Sequence, residues 1–194
     1  MSPLASLLFA LVIFAGIFAW SIRMYGRVTR HVAPMLEAPR MSWDGWRGAV
    51  LLDGIWNGLP IRIQSFYVKP TRLSVTVRLV ARPPELEARV SSSGKIEFRS
   101  IRHDRIGMRL LAHVAEDELL RSGPPVRAAI AEYFTPARVE TLRVLLLNLG
   151  WERFVRNQEG IGVSRSGGAP VRWKPHQARD QVERTLVELQ RMGV

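Results

Sequence analysis

The chain contains no cysteine, and only three of its 194 residues are lysines (Lys69, Lys95 and Lys174). Without cysteine, disulfides, thiolate metal sites and cysteine nucleophiles are excluded, and the absence fits a reducing compartment. Because Lys and Arg together number 28, arginine carries nearly all of the positive charge. The net charge of +11 favours anionic partners, which are acidic lipid headgroups, nucleic acid or an acidic protein surface.

Charged side chains are also absent from residues 1–22. The apolar run 3–22, at a helical rise of about 1.5 Å per residue, is about 30 Å long and matches the hydrocarbon thickness of a bilayer. It predicts a transmembrane helix at 1–22. The alternative is a cleaved signal peptide, which needs a basic start, a shorter apolar stretch and a cleavage site between small residues. The chain lacks the basic start, and Ala19-Trp20-Ser21 is a poor site.

Positive charge follows the apolar run immediately, at Arg23, Arg27 and Arg30. The positive-inside rule therefore predicts an N-terminus outside and residues 23–194 in the cytoplasm. The expected location is the inner or plasma membrane of a bacterial-type cell, with the apolar helix as an uncleaved, single-pass signal-anchor.

Small residues recur within the helix at a spacing of four, which allows a second helix to approach closely. The candidates for helix packing are Ser6, Ala10, Ala15, Gly16 and Ala19. The alternative is that alanine is common in membrane helices and the spacing has no meaning.

Residues 23–46 form a basic juxtamembrane segment in which Pro34 and Pro39 interrupt any long helix. Arginines mixed with tryptophans are typical of a segment that lies along an anionic headgroup surface. The candidates for this interface are Trp20, Arg23, Tyr25, Arg27, Arg30, Trp43 and Trp46. Alternatively, Trp43 and Trp46 are the first core residues of the folded domain.

The remaining residues, 47–194, are predicted to form a cytoplasmic α+β domain. Asn57-Gly58 favours a type I′ turn between strands at 47–56 and 59–68. Alternating apolar residues predict further strands at 71–81, at 85–91 and around Ile96 and Phe98. Together these strands would form an antiparallel meander of about five.

The second half mixes both kinds of element. It contains a helix at 125–134, a buried strand at 144–147, a hairpin at 151–155 and 161–164, and an amphipathic helix at 175–192. An antiparallel sheet with helices packed on one face is the expected architecture. The sequence leaves open whether the strand-rich parts 47–101 and 138–166 belong to one sheet or to two.

No pattern of residues points to catalysis. The four histidines lack metal-ligand spacing, and no serine lies in a Gly-x-Ser-x-Gly elbow. The glycines at 160, 162, 167 and 168 match neither a P-loop nor a dinucleotide fingerprint and are interpreted as a flexible hairpin loop. We therefore predict no catalytic, cofactor-binding or metal-binding residue and no cofactor. Nucleic acid is an unlikely partner because the aromatic residues fall at apparent core positions.

The function expected from these features is that of a non-enzymatic accessory or scaffolding subunit in a multi-subunit integral-membrane complex. Its partners would be other integral-membrane subunits and anionic lipid headgroups. One alternative is a membrane-tethered domain that binds anionic lipid or nucleic acid alone. The other is an enzyme whose site residues are dispersed along the chain.

Overall fold

A computed structural model describes residues 3–66, 72–79, 85–91, 93–103, 109–115, 130–167 and 172–193. Its helices are α1 (Pro3–Tyr25), α2 (Arg27–Val32), α3 (Pro136–Arg143) and α4 (Pro175–Arg191), with a 3₁₀ turn at Ala33–Met35 and a π-helical stretch at Val144–Asn148. Its strands are β1 (Glu37–Asp44), β2 (Ala49–Trp56), β3 (Leu59–Phe66), β4 (Arg72–Val77), β5 (Glu85–Val90), β6 (Ile96–His103), β7 (Arg109–Ala115), β8 (Arg153–Asn157) and β9 (Gly160–Ser166). The chain is α+β with an apolar N-terminal helix, as the sequence predicts.

The strands form a single antiparallel 9-stranded sheet in the order β1-β2-β3-β4-β9-β8-β5-β6-β7. Both strand-rich parts of the sequence therefore belong to one sheet. The β2–β3 hairpin has the predicted turn, since Asn57 (φ 49°) and Gly58 (φ 76°) both have the positive φ that a type I′ turn requires.

The predicted meander is wrong at one point, because β4 pairs with β9 and not with β5. The β8–β9 hairpin lies between β4 and β5, so these two strands are three strand spacings, or about 14 Å, apart. Seven residues separate Val77 from Glu85, and an extended chain of that length reaches about 23 Å. This segment contains Pro83-Pro84 and is too long for a two-residue turn, which is why consecutive strands need not be neighbours here.

The predicted buried strand at 144–147 is also wrong. These residues are π-helical and continue α3, and the amide of Leu149 donates to the carbonyl of Val144 at 2.9 Å. Leu142, Leu145 and Leu146 are buried. Their spacing of three and four residues is that of one helix face, and it outweighs the β-propensity of a short apolar run.

The interpretation of the glycines as a loop is wrong for Gly160 and Gly162, which lie in β9. A Cβ atom on Gly160 would be 2.0 Å from the carbonyl oxygen of Val77, so β4 approaches too closely for any side chain there. Gly168 lies outside the described residues. Of the predicted helix 125–134, residues 130–134 are described, and 130–133 are helical.

One face of the sheet, the inner face, supplies the core. Its fully buried side chains include Ile63, Val75 and Phe154, and they form one cluster with buried residues of α2 and α4. The indole Nε1 of Trp151 donates to the hydroxyl of Thr185 on α4 at 2.9 Å. The amphipathic helix predicted at 175–192 is thereby confirmed as the element that covers the sheet.

Residues from the segment 23–46 also belong to this core. Val28 and Val32 of α2 are buried in the same cluster, as is Leu36 after the 3₁₀ turn. β1 forms the edge of the sheet, paired with β2. The segment between the apolar helix and β2 is therefore folded against the sheet.

Candidate membrane-facing surface

The first 18 residues of α1, Pro3–Trp20, have a mean hydropathy of 2.2, and none of them is buried. At about 1.5 Å per residue such a helix is long enough to cross a bilayer. This property is common to single-pass anchors and signal sequences. Apart from Phe18, the side chains of this span are exposed.

A short, hydrogen-bonded junction connects α1 to the rest of the fold. The hydroxyl of Thr29 donates to the carbonyl of Gly26 at 2.9 Å, where α1 gives way to α2. The guanidinium of Arg30 donates to the carbonyl of Arg23 across the same junction. From the other side, Nε of Arg179 on α4 donates to the carbonyl of His31 at 2.9 Å. The end of α1 is thus held by contacts to the folded domain.

An aromatic contact also joins α1 to the edge of the sheet. The rings of Phe18 and Trp43 meet edge to face with centroids 5.4 Å apart. Trp43 pairs with Val50 of β2 and so projects from the inner face of the sheet. Because Phe18 is two residues before the end of the apolar span, Trp43 lies beside the last helical turn of that span.

This contact fixes the direction of the β1–β2 hairpin. β1 starts at Glu37, beyond α2, and runs back until Trp43 reaches α1. Its tip, the turn at 45–48, is therefore the end of the hairpin nearest to the apolar span. In this turn, Asp44 accepts from the amide of Arg47 at 3.1 Å, and Trp46 is fully exposed (102%).

Six of the seven interface candidates are exposed, and the elements that carry them meet at the Phe18–Trp43 contact. Trp20 and Trp46 are exposed and Trp43 is half exposed (52%), which rules out the alternative that Trp43 and Trp46 are core residues. Of Tyr25, only the backbone is described, at the end of α1. The exposed arginines of these elements are Arg23, Arg27, Arg30, Arg40 and Arg47. Sequence reasoning missed Met41, which is exposed on the same side of β1 as Trp43.

Positive charge at this surface acts on His31. Burial lowers the pKa of His31 below its ordinary value of 6.5, and the charges of Arg27, Arg30 and Arg179 lower it further. Both causes disfavour the protonated ring. Three arginines therefore lie close enough to the His31 ring to act on it.

The helix-packing candidates are all exposed. At 3.6 residues per turn, Ser6 and Ala10 lie on roughly the opposite side of α1 from Ala15 and Ala19. A Cβ atom added to Gly16 would have no neighbour within 4 Å. One partner helix cannot cover both pairs, so packing through these residues stays a prediction with two separate stripes.

No protein-family model matches the chain, and no curated protein or solved structure matches it. The functional conclusion therefore depends on the surface described above.

Proposed function

We propose that the protein is a single-pass membrane subunit with its N-terminus outside and its folded domain at the cytoplasmic leaflet of the cell membrane. In this role it is a non-enzymatic accessory or scaffolding subunit of a larger integral-membrane complex. α1 packs among partner helices, and the Trp–Arg surface contacts anionic headgroups. The observation that carries the proposal is the Phe18–Trp43 contact, which joins an exposed apolar helix to the edge of the folded domain.

Lipid contact at the hairpin follows from the position of Trp43 beside the last turn of the apolar span. A side chain beside the last turn of a membrane span lies at the interface, where tryptophan is favoured because its ring is apolar and its N–H is polar. Arg40 and Arg47 belong to the same hairpin and are exposed. Basic groups near an anionic leaflet contribute about 1 kcal/mol each.

The accessory role is supported by the state of α1. In lipid, helices associate through close packing of small residues, and no described residue covers either stripe of α1. An anchor alone needs only apolar length. Small-residue stripes on two opposite sides suit a helix that has a neighbouring helix on each side better than they suit an isolated anchor.

Purification of the full chain in mild detergent tests the proposal. We expect a partner in stoichiometric amount, and we expect Ala15→Leu with Ala19→Leu, or Ser6→Leu with Ala10→Leu, to release it because the larger side chains prevent close approach. Leu7→Phe, which enlarges a side chain between the two stripes, is the matched control and should retain the partner.

Recovery of the unaltered chain as a lone monomer contradicts the subunit role. If that monomer binds vesicles containing anionic lipid in a salt-dependent way, the result favours the stand-alone lipid-binding domain instead. Such binding is expected from the exposed Trp46 beside Arg47, and neutral vesicles of the same size are the control.

A further inference from the structure

The outer face of the sheet carries a row of polar side chains that the membrane-facing surface does not use. Gln64 of β3 pairs with Ser74 of β4, and Ser74 pairs with Ser164 of β9. Ser164 in turn pairs with Arg153 of β8. Residues directly opposite one another in neighbouring strands project to the same side. The four side chains therefore form one continuous row across the middle of the sheet.

Two nitrogen atoms of this row are buried and make no hydrogen bond to any described residue. Gln64 is only 8% exposed, and its Oε1 accepts from the hydroxyl of Ser74 at 3.2 Å, but its Nε2 is unpartnered. Arg153 donates from Nη2 to Glu87 at 2.5 Å, while its Nε is unpartnered. Both atoms are N–H donors, and buried donors are normally paired. Each of these two donors therefore lacks an acceptor within the described part of the chain.

A groove opens directly over the row. It has a volume of about 180 Å³, and it is lined by all four of these side chains together with Arg72 and Thr76. Gly162 has no side chain to fill the bottom of the groove, and a Cβ atom there would be 2.6 Å from the hydroxyl of Thr76. The size admits a small group and the first atoms attached to it.

The charged side chains that line the groove are two arginines and one carboxylate. Arg72 lies beside the row, and Arg153, at its end, pairs with Glu87, which does not line the groove. The carboxylate that lines the groove, Glu159, lies in the β8–β9 turn next to Gly160, which is two side-chain rows, or about 13 Å, further along the strands. At that separation its charge is largely screened.

We propose that this groove binds a small oxyanion, a phosphate or a carboxylate group. Its oxygens accept from Nε2 of Gln64 and Nε of Arg153, the hydroxyls of Ser74 and Ser164 supply further donors, and Arg72 supplies charge. Charge-assisted hydrogen bonds of this kind are stronger than those to neutral acceptors. The proposal is independent of the role of α1, because no residue of the groove belongs to α1 or to the hairpin tip.

Calorimetric titration of the purified full chain in detergent tests this site, with inorganic phosphate and acetate as probes and chloride at equal ionic strength as the blank. We expect saturable binding of at least one of the two oxyanions. Gln64→Glu replaces the donor with a carboxylate and should weaken that binding at least about tenfold. Gln190→Glu makes the same change at an exposed position of α4 and should leave binding unaltered.

Ser164→Ala provides a second variant that changes little in shape. It removes one hydroxyl donor and should weaken binding by a smaller factor than Gln64→Glu. If Gln64→Glu does not fold, Ser164→Ala decides the matter alone. Absence of saturable binding of both oxyanions overturns the proposal, as does an affinity unchanged in Ser164→Ala and in a folded Gln64→Glu.

Discussion

The molecule has two apolar surfaces of similar composition that differ in what covers them. Phe154 of the inner face is 0% exposed, whereas Phe9 of α1 is 63% exposed. The inner face of the sheet buries its side chains against α2 and α4, so its hydrophobic free energy contributes to folding. The side chains of α1 remain outside the described core, and in the proposed role a bilayer would surround them. Hydrophobicity thus stabilises the domain in one region, and in the other it gives a helix that is long and apolar enough to span a membrane.

The largest effect that distinguishes the two surfaces is expected for removal of a phenyl group. Phe154→Ala should lower the free energy of unfolding of the domain by about 3–5 kcal/mol, because it leaves a cavity in the core. Phe9→Ala removes the same group from α1 and should leave that free energy unchanged. Denaturant titration of both full-length variants in detergent is the measurement. Equal losses would mean that α1 packs into the folded domain and would end the distinction.

A smaller effect sharpens the comparison at the hairpin, where the two surfaces meet. Trp46→Phe should reduce the quenching of tryptophan fluorescence by brominated lipids in reconstituted vesicles, because the proposed function places Trp46 at the membrane surface. Trp56 lies at the opposite end of β2, about 23 Å away along the strand. Trp56→Phe is therefore the matched control and should not reduce quenching. If the control variant loses more quenching than Trp46→Phe, the hairpin points away from the bilayer.

The smallest effect concerns the junction between the two surfaces. The pKa of His31 is lowered in the folded protein, so the unfolded chain binds more protons at this position as the pH falls through 6.5. Stability contributed by neutral His31 is therefore present above that pH and is lost below it. We expect His31→Gln to flatten the dependence of the unfolding midpoint on pH between about 5 and 7. An identical dependence in the two proteins would show that the junction does not affect this ring.

Local patterns in the sequence predict several of these elements well. Asn57 and Gly58 both tolerate the positive φ that a type I′ turn requires and so predict that turn, and the amphipathic period of 175–192 predicts α4. The order of the strands is not predictable in this way, because the pairing of β4 with β9 depends on contacts far apart in sequence. A run such as 144–147 fits a strand and a helix equally until the spacing to Leu142 is included.

The candidate surfaces show the same limit. Tryptophans and arginines after an apolar span predict an interface, but only the contact of Trp43 with Phe18 brings the hairpin back beside α1. The polar row on the outer face has no sequence signature. Gln64, Ser74, Arg153 and Ser164 belong to four strands, and they become neighbours only through the order of the sheet.

Labelling of single introduced cysteines in intact cells tests the central claim most directly, since the chain has no cysteine of its own. Ser2→Cys places a thiol before α1, and Lys174→Cys places one on the exposed start of α4. We expect a membrane-impermeant maleimide to label the first variant in intact cells and the second only after the membrane is opened. Labelling of the Lys174→Cys variant in intact cells would contradict the proposed topology, and recovery of that variant in the soluble fraction would contradict the anchor.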